Sequence, residues 1–323
     1  MRTILVAAAL TGVAAFAVAP AQAKTIKIGL SMLTQNAPYY AALQAEVLKE
    51  AKVLGATVVT ADANNAMLKQ ISDVEDMLSQ NIDVLIMDPK DAKGLVGVTK
   101  EAASAHVPVI IVDSSIDPSA PVLTTIQSDN AENGRLIGDW LIGQVKGRDL
   151  HIALLSGDQG NVVGEARRDG VMSGIVEAQL RQLGHAGFTV VGQGWGGWTQ
   201  EGGVKAMEDL LTAHPDINAV LAENDSMALG AMRAIQDAGK ADKNILIFAA
   251  ADGQKEAVKL IQDGKYGATG LNDPAVIGKM ATDLAVKVAN GQTPPGIAKI
   301  TFTPPVAITK SNAAQYYKPE ALF

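Results

Sequence analysis

The sequence predicts an α/β protein built from two doubly wound parallel-sheet domains. Short apolar runs alternate with longer segments of helical period almost to the end of the chain, which is the pattern of βα units. Some runs, such as 107–112, carry Val and Ile at consecutive positions, as strands covered by helices on both faces do. Nine or ten strands are many for one twisted sheet, so we expect two sheets of five or six strands each.

Each strand and helix is assigned from this alternation. The predicted strands are 26–31, 56–61, 84–88, 107–113, 150–156, 188–192, 219–224, 245–252 and 267–272. The predicted helices are 39–54, 67–80, 92–105, 131–145, 163–183, 200–213, 227–238, 253–263 and 276–289. Right-handed crossovers make the sheets parallel. The extended stretch 124–129 lies between a proline-rich turn and a helix, and it is the predicted crossing point between the domains.

The first 23 residues have the features of a secretory signal peptide. Residues 1–2 give a positive start, residues 4–19 are apolar, and residues 21–23 read Ala-Gln-Ala, an A-x-A cleavage site. The apolar stretch is shorter than the roughly 20 residues needed to span a bilayer. We therefore predict cleavage after Ala23 and export to the periplasm.

The composition excludes several classes of protein. The chain has 323 residues, of which 48% are apolar and 19% are charged, and this balance excludes an intrinsically disordered chain. It contains no cysteine, which excludes a disulfide scaffold and a thiolate metal site. The net charge of −7 argues against a nucleic-acid-binding protein, which needs a basic face. The four histidines lie far apart without ligand spacing, so we predict no metal and no cofactor.

Polar side chains stand where almost every predicted strand ends. The carboxyl ends of parallel strands are where open α/β sheets bind ligands. The polar positions are Ser31 with Gln35 and Asn36, Asp88, Asp113 with Ser114, 158–161, Asn224 with Asp225, Asp252, and Asn272 with Asp273. Capping of the following helix is the alternative explanation for any one of them, and it accounts well for Asp225 and Asp273.

The placement of the aromatic residues is informative because they make up only 4% of the chain. Tyr39 and Tyr40 open the first helix, and Trp195 and Trp198 lie in and beside the glycine-rich stretch 192–197. Neither pair is spaced like a core stripe, although one ring of each pair could still pack inward. Rings at polar strand ends suit the C–H faces of a sugar or polyol, whose hydroxyls then bind amides and carboxylates.

Other chemistry has weaker support in the sequence. The stretch 192–197 is a literal G-x-G-x-x-G, but two indoles stand where a pyrophosphate would need bare backbone, so we reject a dinucleotide site. The sequence contains no nucleophile elbow, P-loop or H-E-x-x-H motif. Asp113 and Asp252 could form a glycosidase carboxylate pair, and a glycoside hydrolase stays open as a remote alternative.

Five motifs connect the chain to a known family. They are 28–31 (IGLS) with 38–40 (PYY), 108–113 (PVIIVD), 167–170 (RRDG), 210–216 (LLTAHPD) and 223–231 (ENDSMALGA). On these motifs, residues 24–310 resemble the ribose-binding branch of the type I periplasmic binding proteins, the substrate-capturing components of ABC sugar importers.

The resemblance implies two lobes that close on a ligand and are joined by three crossing strands. The expected lobes are 24–127 plus 273–302, and 128–272 plus 303–323. The ligand-binding residues that it implies are Ser31, Asn36, Tyr39, Tyr40, Asp113, Ser114, Arg167, Trp198, Asn224, Asp252 and Asn272. The chain departs from the family at Ser114, where ribose binders have arginine, and in the length of the first loop, where either Gln35 or Asn36 could face the ligand. A different pentose, a hexose or a sugar alcohol would therefore fit as well as ribose.

The expected function is that of a non-enzymatic periplasmic protein that captures a monosaccharide or sugar alcohol for an ABC importer. Its expected partners are a small neutral sugar or polyol and an inner-membrane ABC permease, with a chemoreceptor as a further candidate, and the protein is expected to be a monomer. The alternative is a ligand-binding protein for a chemoreceptor or sensor kinase, which would use the same cleft with a different partner.

Overall fold

The fold was obtained as a computed structural model that describes residues 25–145, 147–241 and 244–323. The predicted signal peptide lies outside the described residues. The strands are β1 (Lys27–Met32), β2 (Thr57–Asp62), β3 (Val84–Met87), β4 (Val109–Val112), β5 (Thr124–Ser128), β6 (His151–Ser156), β7 (Thr189–Trp195), β8 (Ala219–Ala222), β9 (Leu246–Ala249), β10 (Thr269–Gly270), β11 (Ile300–Thr303) and β12 (Ala307–Ile308). The helices are α1 (Pro38–Val53), α2 (Met67–Ser79), α3 (Val96–Ser104), α4 (Asn130–Val145), α5 (Val162–Leu183), α6 (Gln200–Ala213), α7 (Asp225–Asp237), α8 (Lys255–Gln262), α9 (Pro274–Ala289) and α10 (Ala313–Tyr316).

The first lobe is built on a six-stranded parallel sheet with the order β11-β5-β4-β3-β1-β2. Every residue of β3 and β4 is buried, as expected for strands that helices cover on both faces. Successive side chains point to opposite faces, so Ile86 and Ile110 join the core with α1 and α9, while Leu85 and Ile111 join the core with α2 and α3.

The second lobe is built on a four-stranded parallel sheet with the order β7-β6-β8-β9. On one face of this sheet α4 and α5 pack unusually closely, because glycines face the opposite backbone. A Cβ at Gly134 would lie 2.3 Å from the carbonyl oxygen of Arg167, and one at Gly170 would lie 2.2 Å from that of Ala131. The close approach brings the start of α4 against the second turn of α5, where Arg167 reaches Asn130.

The chain passes between the two sheets three times. It leaves the first sheet after β5, returns through 271–273 to α9, and leaves again after β11 towards β12, which pairs antiparallel with β10. The buried amide of Asn133 joins these crossings, since it donates to the carbonyl oxygen of Leu271 at 2.8 Å and accepts from the N–H of Val306 at 3.0 Å. The three crossing segments therefore form one connected hinge region.

The structure confirms the parallel α/β architecture and corrects several details. The sheets have six and four strands rather than five or six each, because the run 267–272 contributes only the two-residue strand β10. Helix α3 begins at Val96, four residues after the predicted start. The cap prediction for Asp273 is confirmed, since its side chain accepts from the N–H of Ala275. The cap prediction for Asp225 is wrong, since Asn224 caps α7 and Asp225 binds another loop. Within the described ranges, no helix combines the length and apolar character that crossing a membrane requires.

Candidate functional site

The candidate site is a cavity between the two lobes, at the carboxyl ends of both sheets. Its lining residues are Ala37, Tyr39, Tyr40, Asp113, Ser114, Asn161, Val163, Arg167, Trp198, Asn224, Ser226, Asp252 and Asn272. Nine of the eleven residues that the sequence predicted for ligand binding are in this set. The structure brings these nine together from both lobes and from the hinge; that they bind a ligand stays a prediction.

Arg167 is the cation of the cavity, and its orientation is fixed by three partners. Its guanidinium pairs with the Asp252 carboxylate at 2.8 Å, donates to the Asn130 side chain at 2.8 Å and donates to the carbonyl oxygen of Glu223 at 3.0 Å. Burial disfavours the charge, but Asp252 and the nearby Asp113 outweigh it and raise the Arg167 pKa. A guanidinium group that is buried, charged and held in place is suited to donating hydrogen bonds to ligand oxygens.

Asp252 is the carboxylate of the second lobe, and a neighbouring loop positions it. The buried Asp225 accepts from the backbone N–H groups of Asp252 at 3.2 Å, Gly253 at 2.8 Å and Gln254 at 2.8 Å, and from the Tyr266 hydroxyl at 2.7 Å. Asp225 thereby fixes the turn that carries Asp252, which explains why it does not cap α7. Burial raises the pKa of Asp252 to about 6, although the Arg167 charge opposes the shift.

Asn272 connects the two lobes at the base of the cavity. Its amide nitrogen lies 3.0 Å from a carboxylate oxygen of Asp113 and 3.5 Å from one of Asp252, and its amide oxygen accepts from the Tyr39 hydroxyl at 3.2 Å. Asp113 and Tyr39 belong to the first lobe and Asp252 to the second. A hinge residue therefore holds the acidic groups of both lobes in one arrangement.

Two tyrosines form the aromatic wall of the first lobe. The rings of Tyr39 and Tyr40 pack edge to face with centroids 5.6 Å apart, and Phe323 packs on the other side of Tyr39 at 5.5 Å. Burial raises the pKa of both phenols well above the usual value, and the neighbouring aspartates add to the effect. Both hydroxyls therefore keep their protons at neutral pH and remain donors.

Trp198 forms the aromatic wall of the second lobe, and its position depends on Gly157. A Cβ on Gly157 would lie only 1.9 Å from the Trp198 ring, so the indole lies directly against bare backbone. The Arg167 guanidinium lies 5.7 Å from the centroid of the ring, within cation–π distance. Asn224 donates to the carbonyl oxygen of Trp198 at 3.1 Å while it caps α7, so its capping and its place in the cavity are compatible.

Two of the residues that line the cavity have a strained backbone. Asp113 and Trp198 have φ values of 58° and 65°, in the left-handed region that residues other than glycine rarely adopt. Such conformations persist where the surrounding structure determines them, and they are frequent at binding sites. One strained residue comes from each lobe, and each carries a side chain into the cavity.

Two of the predicted residues do not line the cavity. Ser31 is fully buried beneath it and accepts from Gln70 at 3.2 Å. Asn36 is exposed, and its amide pairs with Asn64 at 3.4 Å. Trp195, which borders the glycine-rich loop, is also outside the cavity with 44% of its surface exposed.

Sequence reasoning missed four lining residues, which are Ala37, Asn161, Val163 and Ser226. Two of them had a signal in the sequence. Asn161 stands at a polar strand end, and Ser226 lies inside the motif 223–231. Ala37 and Val163 had none, since a small apolar residue beside a polar loop is not distinguishable from core.

Comparisons with known proteins agree with this geometry. The sequence model of the family described as "Periplasmic binding protein domain" matches residues 28–293. The ribose import binding protein RbsB of Bacillus subtilis (strain 168) is 35% identical over 269 residues, which cover 83% of each chain. The crystal structure of an ABC transporter solute binding protein from Mycobacterium smegmatis with bound glycerol has a TM-score of 0.83 and 32% identity, covering 92% of this chain and 99% of its own. The crystal structure of a galactofuranose binding protein has a TM-score of 0.84 and 29% identity, covering 92% and 100%. The chain therefore belongs to the periplasmic binding protein family, in its type I, ribose-binding-like branch.

Proposed function

We propose that this protein is the periplasmic solute-binding component of an ABC importer and that it captures a monosaccharide or sugar alcohol between its lobes. The observation that carries this proposal is the composition of the cavity. Aromatic rings from both lobes flank a space whose edge is formed by Asp113, Asp252 and Arg167. The relatives are named for the capture of ribose and galactofuranose, and one is a solute binding protein with bound glycerol.

The chemistry of a polyhydroxylated ligand matches these groups. Each ligand hydroxyl can donate to a carboxylate and accept from the Arg167 guanidinium, while the C–H faces of the ring lie against Tyr40 and Trp198. Hydrogen bonds to charged groups are worth roughly 1.5–3 kcal/mol each. Three of them total about 4.5–9 kcal/mol. Burial of the C–H faces of the sugar against Tyr40 and Trp198 adds to this and offsets the cost of ordering the ligand and the lobes, so that the sum supports a micromolar dissociation constant, about −8 kcal/mol.

The ligand acts by stabilising a closed arrangement of the lobes. Asp113 and Tyr40 belong to the first lobe, and Arg167, Trp198 and Asp252 belong to the second, so one ligand gains contacts from both only when they are together. A ligand with this difference in affinity shifts an open–closed equilibrium towards the closed state. In the closed state the two lobes together form the surface that the permease recognises, so the permease distinguishes the liganded protein from the unliganded one.

We propose a transport role without catalysis. A glycosidase would need one carboxyl free to protonate a leaving group and the other free to attack or to activate water. Asp252 is instead paired with Arg167, and both Asp113 and Asp252 face the amide nitrogen of Asn272. These contacts hold the carboxylates as fixed acceptors, which is a binding role.

The proposed location is the periplasm, after removal of residues 1–23 by cleavage behind Ala23. The apolar stretch and the Ala-Gln-Ala site in the sequence support it. The partner in the inner membrane is the permease of the importer.

The proposal is tested with the mature chain, residues 24–323, in a thermal-shift screen of sugars and polyols followed by calorimetry. A ligand at 100 times its dissociation constant adds about 2.7 kcal/mol to the free energy of unfolding. We expect at least one member of the screen to bind with micromolar affinity and Asp252→Ala to weaken it at least tenfold. An exposed control, Asp76→Ala in α2, should bind as wild type. If no sugar or polyol raises the unfolding temperature, or if Asp252→Ala binds as wild type, the proposal is wrong.

A further inference from the structure

Asp88 is a buried carboxyl group beside the cavity that the binding scheme above does not use. It directly follows β3 and is fully buried. Its backbone is well bonded, since its N–H donates to the carbonyl oxygen of Ser31 at 2.9 Å and its own carbonyl oxygen accepts from Gln70 at 2.7 Å. Within the described residues, neither of its carboxyl oxygens has a hydrogen-bond partner. A buried polar group without a partner costs stability, so its presence points to a partner that arrives from outside.

Asp88 is not itself a lining residue of the cavity. It follows β3, which pairs with β4 up to Met87 and Ile111, so it stands beside the strand end that leads into the lining residues Asp113 and Ser114. Burial and the neighbouring Asp113 raise the pKa of Asp88 well above its usual value, and Ser114 partly opposes this. The hydroxyl and the backbone N–H of Ser114 are the groups that oppose the shift, although neither lies within hydrogen-bond geometry of the Asp88 carboxyl. Burial is the largest cause that raises the pKa of the Tyr40 hydroxyl, and the charge of Asp88 is the second largest. A carboxyl that keeps its proton in this setting can both donate to and accept from a hydroxyl.

At Ser114 the cavity continues into a second space between the lobes. This second cavity is lined by 89–92 of the first lobe and 158–162 of the second. Ser114 and Asn161 line both cavities, so the small Ser114 side chain forms part of the boundary between them. The ion pair between Lys90 and Asp158, at 2.7 Å, joins the lobes at the lining of this second space. There is therefore room beyond the ring-binding part of the cavity on the side of Asp88.

We propose that Asp88 is a specificity-determining residue that hydrogen-bonds an exocyclic hydroxymethyl group of the ligand, which passes Ser114 towards the second cavity. This inference rests on the proposed function and deepens it, because it makes the preferred substrate a hexopyranose, which carries a hydroxymethyl group on its ring, rather than a pentopyranose, which does not. The hydroxymethyl group supplies the donor and acceptor that Asp88 lacks. A pentopyranose, which has no exocyclic carbon, leaves Asp88 without a partner and the space at Ser114 without ligand atoms.

The test uses sugars that differ only at the ring position that carries the exocyclic group. In L-arabinose, D-fucose and D-galactose this group is hydrogen, methyl and hydroxymethyl on the same pyranose ring. D-xylose, 6-deoxy-D-glucose and D-glucose form a second such series, and D-ribose and D-allose form a third pair. In the series that binds, we expect calorimetry to give the hydroxymethyl sugar a dissociation constant at least tenfold below that of its relatives, a difference of about 1.4 kcal/mol.

Two variants separate the contribution of Asp88 from a structural effect. Asp88→Ala should abolish the preference for the hydroxymethyl sugar over the methyl sugar and leave the affinity for the methyl sugar unchanged. Because the variant removes a buried carboxyl without a partner, the unfolding temperature of the unliganded protein should stay the same or rise. Ser114→Arg fills the passage and should weaken the hydroxymethyl sugar at least tenfold while the five-carbon sugar still binds. Asp76→Ala is the surface control for the first variant.

The failure of this inference is distinguishable from failure of the proposed function. Pentoses or methyl sugars that bind as tightly as the hydroxymethyl sugar would overturn the role of Asp88 and leave a sugar-binding function intact. The same holds if Asp88→Ala keeps the preference, or if only linear polyols bind. Absence of binding by every sugar and polyol would contradict the proposed function itself, and the inference with it.

Discussion

Substitution of Gly157 by alanine displaces Trp198 without changing any residue that lines the cavity. The new Cβ would lie 1.9 Å from the indole, and ordinary van der Waals contact begins at 3.4 Å, so the ring has to move by about 1.5 Å. An indole face that covers roughly 60 Å² of a sugar ring contributes about 1.5 kcal/mol at roughly 25 cal/mol per Å². Loss of this contact raises the dissociation constant about tenfold.

The assay is a calorimetric titration of the Gly157→Ala variant with the ligand found in the screen, together with its tryptophan fluorescence. The matched control is Gly143→Ala, the same chemical change at an exposed position in α4 where a Cβ meets no atom within 4 Å. That control should bind as wild type and be equally or more stable, because alanine is the better helix former. If Gly157→Ala binds as wild type while its circular dichroism is unchanged, Trp198 does not contact the ligand in the way described.

Three further predictions concern the charged groups between the lobes. Arg167→Ala leaves Asp252 buried without its cation and should lower the free energy of unfolding of the unliganded protein by about 3–5 kcal/mol, measured with urea. Ligand affinity should fall at least tenfold. Unfolding at the wild-type urea midpoint would contradict the structural role of the pair. Burial raises the pKa of Asp252 to about 6, and ligand hydroxyls favour its ionised form, so ligand affinity should fall as the pH drops from 7 to 5. Binding near pH 6 should also release a proton, which calorimetry in buffers of different ionisation enthalpy detects. A pH-independent affinity would refute this. Lys90→Ala removes the half-exposed ion pair with Asp158. Because such pairs are worth up to about 1 kcal/mol, ligand affinity should fall by less than about fivefold. A hundredfold loss of affinity would show that Lys90 touches the ligand.

In the unliganded protein, the raised pKa of Asp252 makes the free energy of unfolding depend on pH in the opposite direction to the ligand affinity. A carboxyl whose pKa is raised on folding binds its proton more tightly in the folded state than in the unfolded state. The contribution of Asp252 to the free energy of unfolding is therefore greatest below pH 4 and falls as the pH rises through about 6. Asp252→Asn should remove this contribution, which a comparison of urea midpoints at pH 5 and pH 7 measures.

The fold was predictable because its strands coincide with runs of apolar residues in the sequence. In β3 and β4 the runs are continuous, and both strands are fully buried in the structure. The length of β10 was overestimated because the run 267–272 divides its hydrogen bonds between two partners. Gly267 and Ala268 bond with β9 of the main sheet, whereas Gly270 and Leu271 pair with the segment that carries β12.

The candidate site was predictable where a residue type is unusual for its position. Two tyrosines at a helix start and aspartates after buried strands drew attention from the sequence, and the structure places Tyr39, Tyr40, Asp113 and Asp252 around one cavity. The role of Asp225 was not predictable, because an aspartate at a helix start resembles a cap. Only the tertiary structure brings the N–H groups of 252–254 within its reach.

The location of Asn36 also lay beyond sequence reasoning. The first loop offered Gln35 and Asn36 as neighbouring amides, and the direction of each side chain depends on the loop conformation. Asn36 turns outward to Asn64, whereas the amide nitrogen of Gln35 is buried and has no hydrogen-bond partner in the part of the chain that the structure describes. Residue type and spacing do not determine such an orientation.

The most direct test of the account is the crystal structure of the mature protein with the tightest-binding ligand from the screen. The account predicts a sugar or polyol between Tyr40 and Trp198, with oxygens within hydrogen-bond distance of Asp113 in one lobe and of Arg167 and Asp252 in the other. A ligand bound elsewhere on the surface, or one that touches a single lobe, would contradict it.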